Sequence, residues 1–165
     1  LNDRLKSQFK VELDDDTSKT PGYKFNDWEM KGVPVRIEIG PKDIEKNQVT
    51  IFRRDTCEKS TLSMDNLEND LKDLLENIQS SLFERASQFR DEKTWTVNSY
   101  DELKEQVQGG YARAMWCCKR ECEDKIKEDT SATSRNMPFD QTPIGDQCVC
   151  CGEKADKVMY FSKAY

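Results

Sequence analysis

Histidine does not occur anywhere in the 165 residues of this chain. Its absence removes the commonest general base at neutral pH and the commonest neutral metal ligand together. Any metal site must therefore be built from thiolates or carboxylates. Long apolar runs are missing too: hydrophobic residues make up 35% of the chain and charged residues another 35%, and no stretch approaches the length needed to span a bilayer. The first residues, Leu1 to Lys6, show no charged-then-apolar leader pattern and no initiator Met, so the expectation is an internal cut through something longer. The net charge of −6 argues against a protein that coats nucleic acid without specificity, although a local basic patch on an acidic whole remains compatible with it.

Cysteine is present in quantity. Seven occur, an odd number, and they cluster instead of spreading. A secreted disulfide framework is usually even and dispersed, so a reducing, cytoplasmic setting fits better. Cys117 and Cys122 have four residues between them and Cys148 and Cys151 two, with Gly152 directly after. Two such pairs across a loop supply the tetrahedral four-thiolate shell of a closed structural zinc site, with no open position for a catalytic water. A register using Cys150 in place of Cys151 is open at this stage. Iron–sulfur ligation and a redox dithiol are the weaker alternatives.

Periodicity predicts an α/β (α+β) chain in two parts, 1–90 and 91–165. In the first, residues 1–9 read as the end of a helix and residues 9–13 as a short strand. A helix over 23–31 stops at Gly32, a strand runs over 33–39 with Arg36 and Glu38 on the face opposite its apolar residues, and a second strand covers 48–54. A turn over 55–59 precedes a long helix with an apolar stripe of Leu67, Leu71, Leu74, Leu75, Ile78 and Leu82. In the second part, a strand over 94–97 leads to a helix opened by a capping box at Ser99 and Glu102. Strands over 111–116 and 158–161 flank the cysteines, with a polar loop before Cys148.

The run Pro21-Gly22-Tyr23-Lys24-Phe25-Asn26-Asp27-Trp28-Glu29-Met30-Lys31-Gly32-Val33-Pro34-Val35-Arg36-Ile37-Glu38-Ile39-Gly40-Pro41-Lys42-Asp43, with Arg53-Arg54-Asp55-Thr56 and Glu58-Lys59 beyond it, closely resembles the anticodon-binding domain of prolyl-tRNA synthetases of the archaeal and eukaryote-like type. Met115-Trp116-Cys117, Cys122-Glu123, Cys148 to Gly152 and Phe161 to Tyr165 resemble that family's zinc-binding tail. Two departures are Cys57 and Cys118, where family members more often carry Gly.

The resemblance implies an N-terminally truncated class II-type anticodon-binding domain with a mixed sheet and helices, then a small α+β zinc-binding domain. It implies a parent enzyme, homodimeric by family habit, that makes prolyl-adenylate from proline and ATP with Mg and charges tRNA. The catalytic signature motifs are not in these residues, so no aminoacylation is expected from this piece alone. It implies partners in proline tRNA and the catalytic domain, a cytoplasmic location, no membrane, structural zinc on Cys117, Cys122, Cys148 and Cys151, and a terminal Tyr165 folding back toward the catalytic domain.

Proline anticodons share two guanines. A guanine's Watson–Crick edge offers N–H donors to a carboxylate, and its O6 and N7 suit Arg or Lys. By the resemblance, Glu29 reads one guanine, Arg36 and Lys42 the other, and Lys59 reaches either; Arg53 and Arg54 serve phosphates. Phe25 and Trp28 are read as core before base-stacking. A zinc-dependent protein-interaction module without RNA specificity is the competing class.

Overall fold

The computed structural model describes residues 1–164, so the reading placed on Tyr165 lies outside the described residues. The chain forms two compact units, Leu1–Glu84 and Arg85–Tyr165.

The first unit holds a three-stranded antiparallel sheet, β1 (Val35–Glu38), β2 (Gln48–Arg53) and β3 (Lys59–Ser63), in that spatial order. Helices α1 (Asn2–Lys6), α2 (Pro21–Met30), α3 (Pro41–Glu45) and the start of α4 (Leu67–Glu92) complete it. Pairing of Val35 with Arg53, Ile37 with Ile51 and Val49 with Leu62 sets one apolar face. That face packs with Leu5, Leu67 and Leu71 into a core joined by Phe9, Val11 and Leu74. Ile78 is also buried on α4. The opposite face carries Arg36 opposite Phe52, Phe52 opposite Lys59, and Glu38 opposite Thr50.

Two short elements escape a periodicity reading, α3 and β3, so Lys42 lies on a helix instead of a loop and Lys59 begins a strand instead of closing a turn. The strand expected over residues 9–13 does not form. Phe9 and Val11 still pack on the core; their alternation reports burial without a partner strand to hydrogen-bond.

Helix α2 starts with Thr20 accepting the Tyr23 amide, and Pro21 occupies the first turn where no amide is needed. It stops at Gly32, whose φ of +86° admits a Schellman closure: Gly32 N–H donates to Glu29 O at 3.0 Å and Val33 N–H to Trp28 O at 3.1 Å. Asp14 ties the preceding loop to this helix. It accepts from Trp28 Nε1 at 2.8 Å and pairs with Lys24. The Lys24 and Trp28 hydrogen bonds hold its carboxyl down at about 2. Trp28 is half-buried and committed to Asp14, and it is not among the residues that pack on this unit's apolar core.

The second unit has a mixed four-stranded sheet in the order β4 (Thr94–Thr96), β5 (Tyr111–Trp116), β7 (Lys157–Lys163), β6 (Ala132–Asn136); β4 runs parallel to β5 and the rest are antiparallel. The capping box forms as expected on α5 (Tyr100–Gln106). Helix α6 (Arg120–Thr130) and strand β6 stand where the sequence reads only as polar chain. Phe161, Leu103, Ile126 and Val107 anchor the core beneath the sheet.

Both departures from the family pattern sit on left-handed backbone: φ is +59° at Cys57 and +61° at Cys118. A side chain there costs roughly 1–2 kcal/mol against Gly, partly returned by Gly's greater freedom in the unfolded chain. Cys57→Gly is therefore expected to stabilise the first unit by about 0.5–1 kcal/mol, read as a raised denaturant midpoint at unchanged m-value.

Candidate metal centre and nucleic-acid interface

Cys117 follows β5 directly, Cys122 lies in the first turn of α6, and Cys148 and Cys151 come from the loop before β7. Their sulfurs all lie within 4.8 Å of one another. Cys117 Sγ is 3.6 Å from Cys122 Sγ and 3.7 Å from Cys151 Sγ. These are far beyond a disulfide's ~2.05 Å. They match the ~3.8 Å edge of a tetrahedron with Zn–S bonds of ~2.3 Å. The space admits one ion; the atoms of an iron–sulfur cluster would spread its thiolates further.

The loop is shaped for this. Gly152, at φ +73°, lets its N–H return to Cys148 O at 2.9 Å, while Cys148 N–H donates to Glu153 O at 2.7 Å and Val149 N–H reaches Met115 O on β5 at 3.0 Å. Burial opposes charge on Cys148, but amide N–H groups of Cys151, Cys150 and Cys117 aimed at its sulfur outweigh it and bring the thiol down to about 7. Burial pushes Cys117 and Cys122 up. Lys119, ion-paired with Glu153, adds a cation beside the group. Donors of this kind offset the excess negative charge of four thiolates on a divalent ion. Cys151 belongs to the group, whereas Cys150 packs against the two apolar clusters of this unit. The residues present thus fit a closed four-thiolate centre.

On the first unit's polar sheet face, three of the residues marked by the sequence, Glu29, Arg36 and Lys59, assemble with two others, Glu38 and Phe52. Arg36 Nη1 donates to Glu29 Oε1 at 2.7 Å and its Nε to Glu38 Oε1 at 3.0 Å. Lys59 Nζ donates to the other oxygen of Glu38, Oε2, at 2.9 Å. The Arg36 guanidinium lies between two rings, 3.7 Å from the Phe25 centroid and 4.2 Å from that of Phe52. Its side chain is only 16% exposed. Part-burial works against charge on Glu38, but Lys59 and Arg36 hold its carboxyl below the ordinary value. Glu38 and Phe52 were legible in principle, since two-residue alternation from Arg36 and cross-strand pairing put them on one face.

Lys42 stands apart, exposed on α3 with no ion pair among the described residues. Arg54 is exposed, its side chain without a partner among the described residues. Arg53 faces the other way. It pairs with Val35 on the apolar side, grips Asp55 at 3.1 and 2.7 Å, and reaches Asn77 of α4 at 2.9 Å. Phe25, read first as core, is half-buried and serves as one wall around Arg36.

This arrangement can present guanidinium, ammonium and carboxylate groups to the edges of splayed bases. Of the five N–H donors of Arg36, both on Nη2 and one on Nη1 have no partner among the described residues, and neither has Glu29 Oε2.

The family model described as the anticodon binding domain matches residues 1–74, and that described as prolyl-tRNA synthetase, C-terminal, matches residues 100–165. Over 167 aligned positions the chain is 50% identical to a proline--tRNA ligase of Alkaliphilus oremlandii, covering 100% of this chain and 35% of that relative. It is 52% identical to proline--tRNA ligase 2 of Bacillus thuringiensis subsp. konkukian and 48% identical to a proline--tRNA ligase of Clostridium botulinum, with the same coverage. The chain thus spans about a third of the length of the curated relatives it matches. With an anticodon binding domain model followed by a prolyl-tRNA synthetase C-terminal model, and every residue aligned to proline--tRNA ligases at about half identity, this chain belongs to the prolyl-tRNA synthetase family.

Proposed function

We propose that residues 1–90 form the part of a proline--tRNA ligase that recognises the two guanines of the proline tRNA anticodon, and that residues 91–165 form its zinc-stiffened C-terminal domain. The observation that carries the reading is the joint assembly of Glu29, from α2, with Arg36 and Lys59 on one face of a small sheet. Glu29 accepts from one guanine through its second oxygen, Arg36 and Lys42 donate to O6 and N7 of the other, and Lys59 reaches either. Arg54 is free for a phosphate, whereas a phosphate contact by Arg53 would compete with its bidentate bond to Asp55.

Cys117, Cys122, Cys148 and Cys151 would hold the zinc, which supplies cross-linking and no catalytic chemistry in a closed thiolate shell. Formation of prolyl-adenylate with ATP and Mg, transfer to tRNA, assembly as a homodimer and a cytoplasmic site of action belong to the reading of the whole enzyme. They rest on family membership alone.

The test is the ratio of affinities for proline tRNA and for the same tRNA with both anticodon guanines replaced, at one stated salt concentration. Two guanine contacts predict a preference of about 100-fold or more for the native anticodon. Equal binding of the two tRNAs would refute the reading.

A further inference from the structure

Glu38 occupies a position that the guanine-reading scheme leaves without a role. It lies on β1 two residues from Arg36, on the same sheet face, with its side chain 27% exposed. One carboxylate oxygen takes Arg36 Nε at 3.0 Å and the other takes Lys59 Nζ at 2.9 Å. Lys59 itself is 53% exposed and begins the far strand of the sheet, so its flexible stem has no other ion-pair partner among the described residues. Phe25 and Phe52 hold the plane of the guanidinium, but ring faces leave a cation free to turn within that plane. The bond from Nε to Glu38, with that from Nη1 to Glu29, removes this freedom. The free N–H groups of Nη2 are thereby fixed in one direction.

We infer that Glu38 is a positioning residue for anticodon recognition: its single carboxylate aims Arg36 and Lys59 together at one guanine. The inference rests on the anticodon-reading proposal above and adds two things to it. It assigns a role to a carboxylate that touches no base, and it places Lys59 with Arg36 on the same nucleotide.

The sign of the expected effect separates this role from the alternatives. A carboxylate on an RNA-facing surface repels phosphates, so deleting it for electrostatic reasons alone raises affinity for every tRNA, whatever the anticodon. A carboxylate that merely supports the fold weakens both tRNAs equally when it is lost. A positioning carboxylate lowers discrimination between them. Fixing a donor before binding saves the ordering cost at the moment of recognition, and that saving is realised only where the donor finds its acceptor.

The experiment measures binding of the 165-residue chain, wild type and Glu38 variants, to proline tRNA and to the tRNA with both anticodon guanines replaced, with thermal melting as the check on folding. Glu38→Gln retains an acceptor for Arg36 but loses the charge that holds Lys59, and Glu38→Ala loses both. The preference for native tRNA is expected to fall by roughly tenfold in Glu38→Ala, and by less in Glu38→Gln, at little change in affinity for the substituted tRNA. Lys59→Ala in the Glu38→Ala background is expected to cost much less discrimination than in the wild type, because the two act as one unit. An unchanged ratio in Glu38→Ala, or equal weakening of both tRNAs, overturns the inference while leaving the anticodon reading intact. Absence of any preference in the wild type overturns both.

Discussion

Arg36→Lys is expected to lose most of the preference for proline tRNA over its guanine-substituted counterpart, about 10–100-fold in the ratio, while binding of the substituted tRNA changes little. The size follows from a bidentate contact to a guanine edge, worth about 1–3 kcal/mol of discrimination. The sign follows from what the substitution keeps. Lysine preserves the positive charge, so the sequence-independent attraction to phosphates survives. It lacks the planar fork, the stacking area against Phe25 and Phe52, and the spare donors that remain after Glu29 and Glu38 are served.

Arg36→Ala goes further and acts in two ways. It removes the reader, and it leaves Glu29 without its cation and Glu38 with Lys59 alone, so affinity for both tRNAs falls along with their ratio. It also opens the space between the two rings, costing the first unit on the order of 1–2 kcal/mol in lost packing and cation–π contact. The lysine variant is therefore the cleaner measurement, and titration of both tRNAs against both variants at two salt concentrations separates reading from attraction. Retention of the full preference by Arg36→Lys would remove Arg36 from the reading scheme.

How far this site was legible in the sequence depends on which signal carried each residue. Strand alternation placed Arg36 away from the core, and the register places it there. The same alternation assigns Arg53 to the opposite face, where Asp55 and Asn77 occupy it; reading Arg53 with Arg54 as a basic pair overlooked that Arg53 ends the strand on its apolar side while Arg54 already lies in the turn. Glu38 was passed over because a carboxylate beside a cation-rich surface reads as solvated charge until the cross-strand partner Lys59 is known. That partner lies on β3, a polar edge strand (Lys-Ser-Thr-Leu-Ser) that carries only one apolar residue and so gives no hydrophobic alternation.

Helix α6 hid for a related reason. Its buried positions are Cys122, Ile126 and Thr130, spaced at i, i+4 and i+8, but two of the three are not aliphatic and the rest of the helix is nearly all charged. The cysteine spacing was legible because four ligands of one ion must converge whatever elements carry them. The choice between Cys150 and Cys151 needed the turn at Gly152, which sends the first toward the apolar clusters and the second into the group.

Chelation of the metal, or Cys148→Ser, is expected to unfold the region around the thiolates and to lower the melting temperature of the second unit sharply. Cys122 and Cys148 are not decoration on a finished core: both are buried members of an apolar cluster with Met115, Ala155 and Val158. Without an ion, thiols drawn to within 4.8 Å of one another have no bond to offset the ordering of the loop that carries them. Structural zinc contributes apparent energies of about 10–16 kcal/mol to zinc-finger peptides at neutral pH. The separate cluster around Phe161, Leu103 and Ile126 keeps part of this unit's stability independent of the metal. Even a loss of about 3 kcal/mol corresponds to a fall of roughly 12–24 °C for a unit of this size.

The direction with pH is fixed as well, since thiols must lose protons to bind: occupancy, and the stability it brings, is lost as pH falls. Two readouts decide the matter. Metal analysis of the purified chain is expected to give one zinc per chain, and amide exchange at Val149, Cys151 and Gly152 is expected to accelerate strongly on chelation. The first unit's melting and its preference for native anticodon should not move, because the readers reach Glu29, Glu38 and the two phenylalanines, none of which depends on the thiolates. A chain purified without metal that melts at the same temperature with and without added zinc would leave the four cysteines as a reduced cluster and withdraw the structural role.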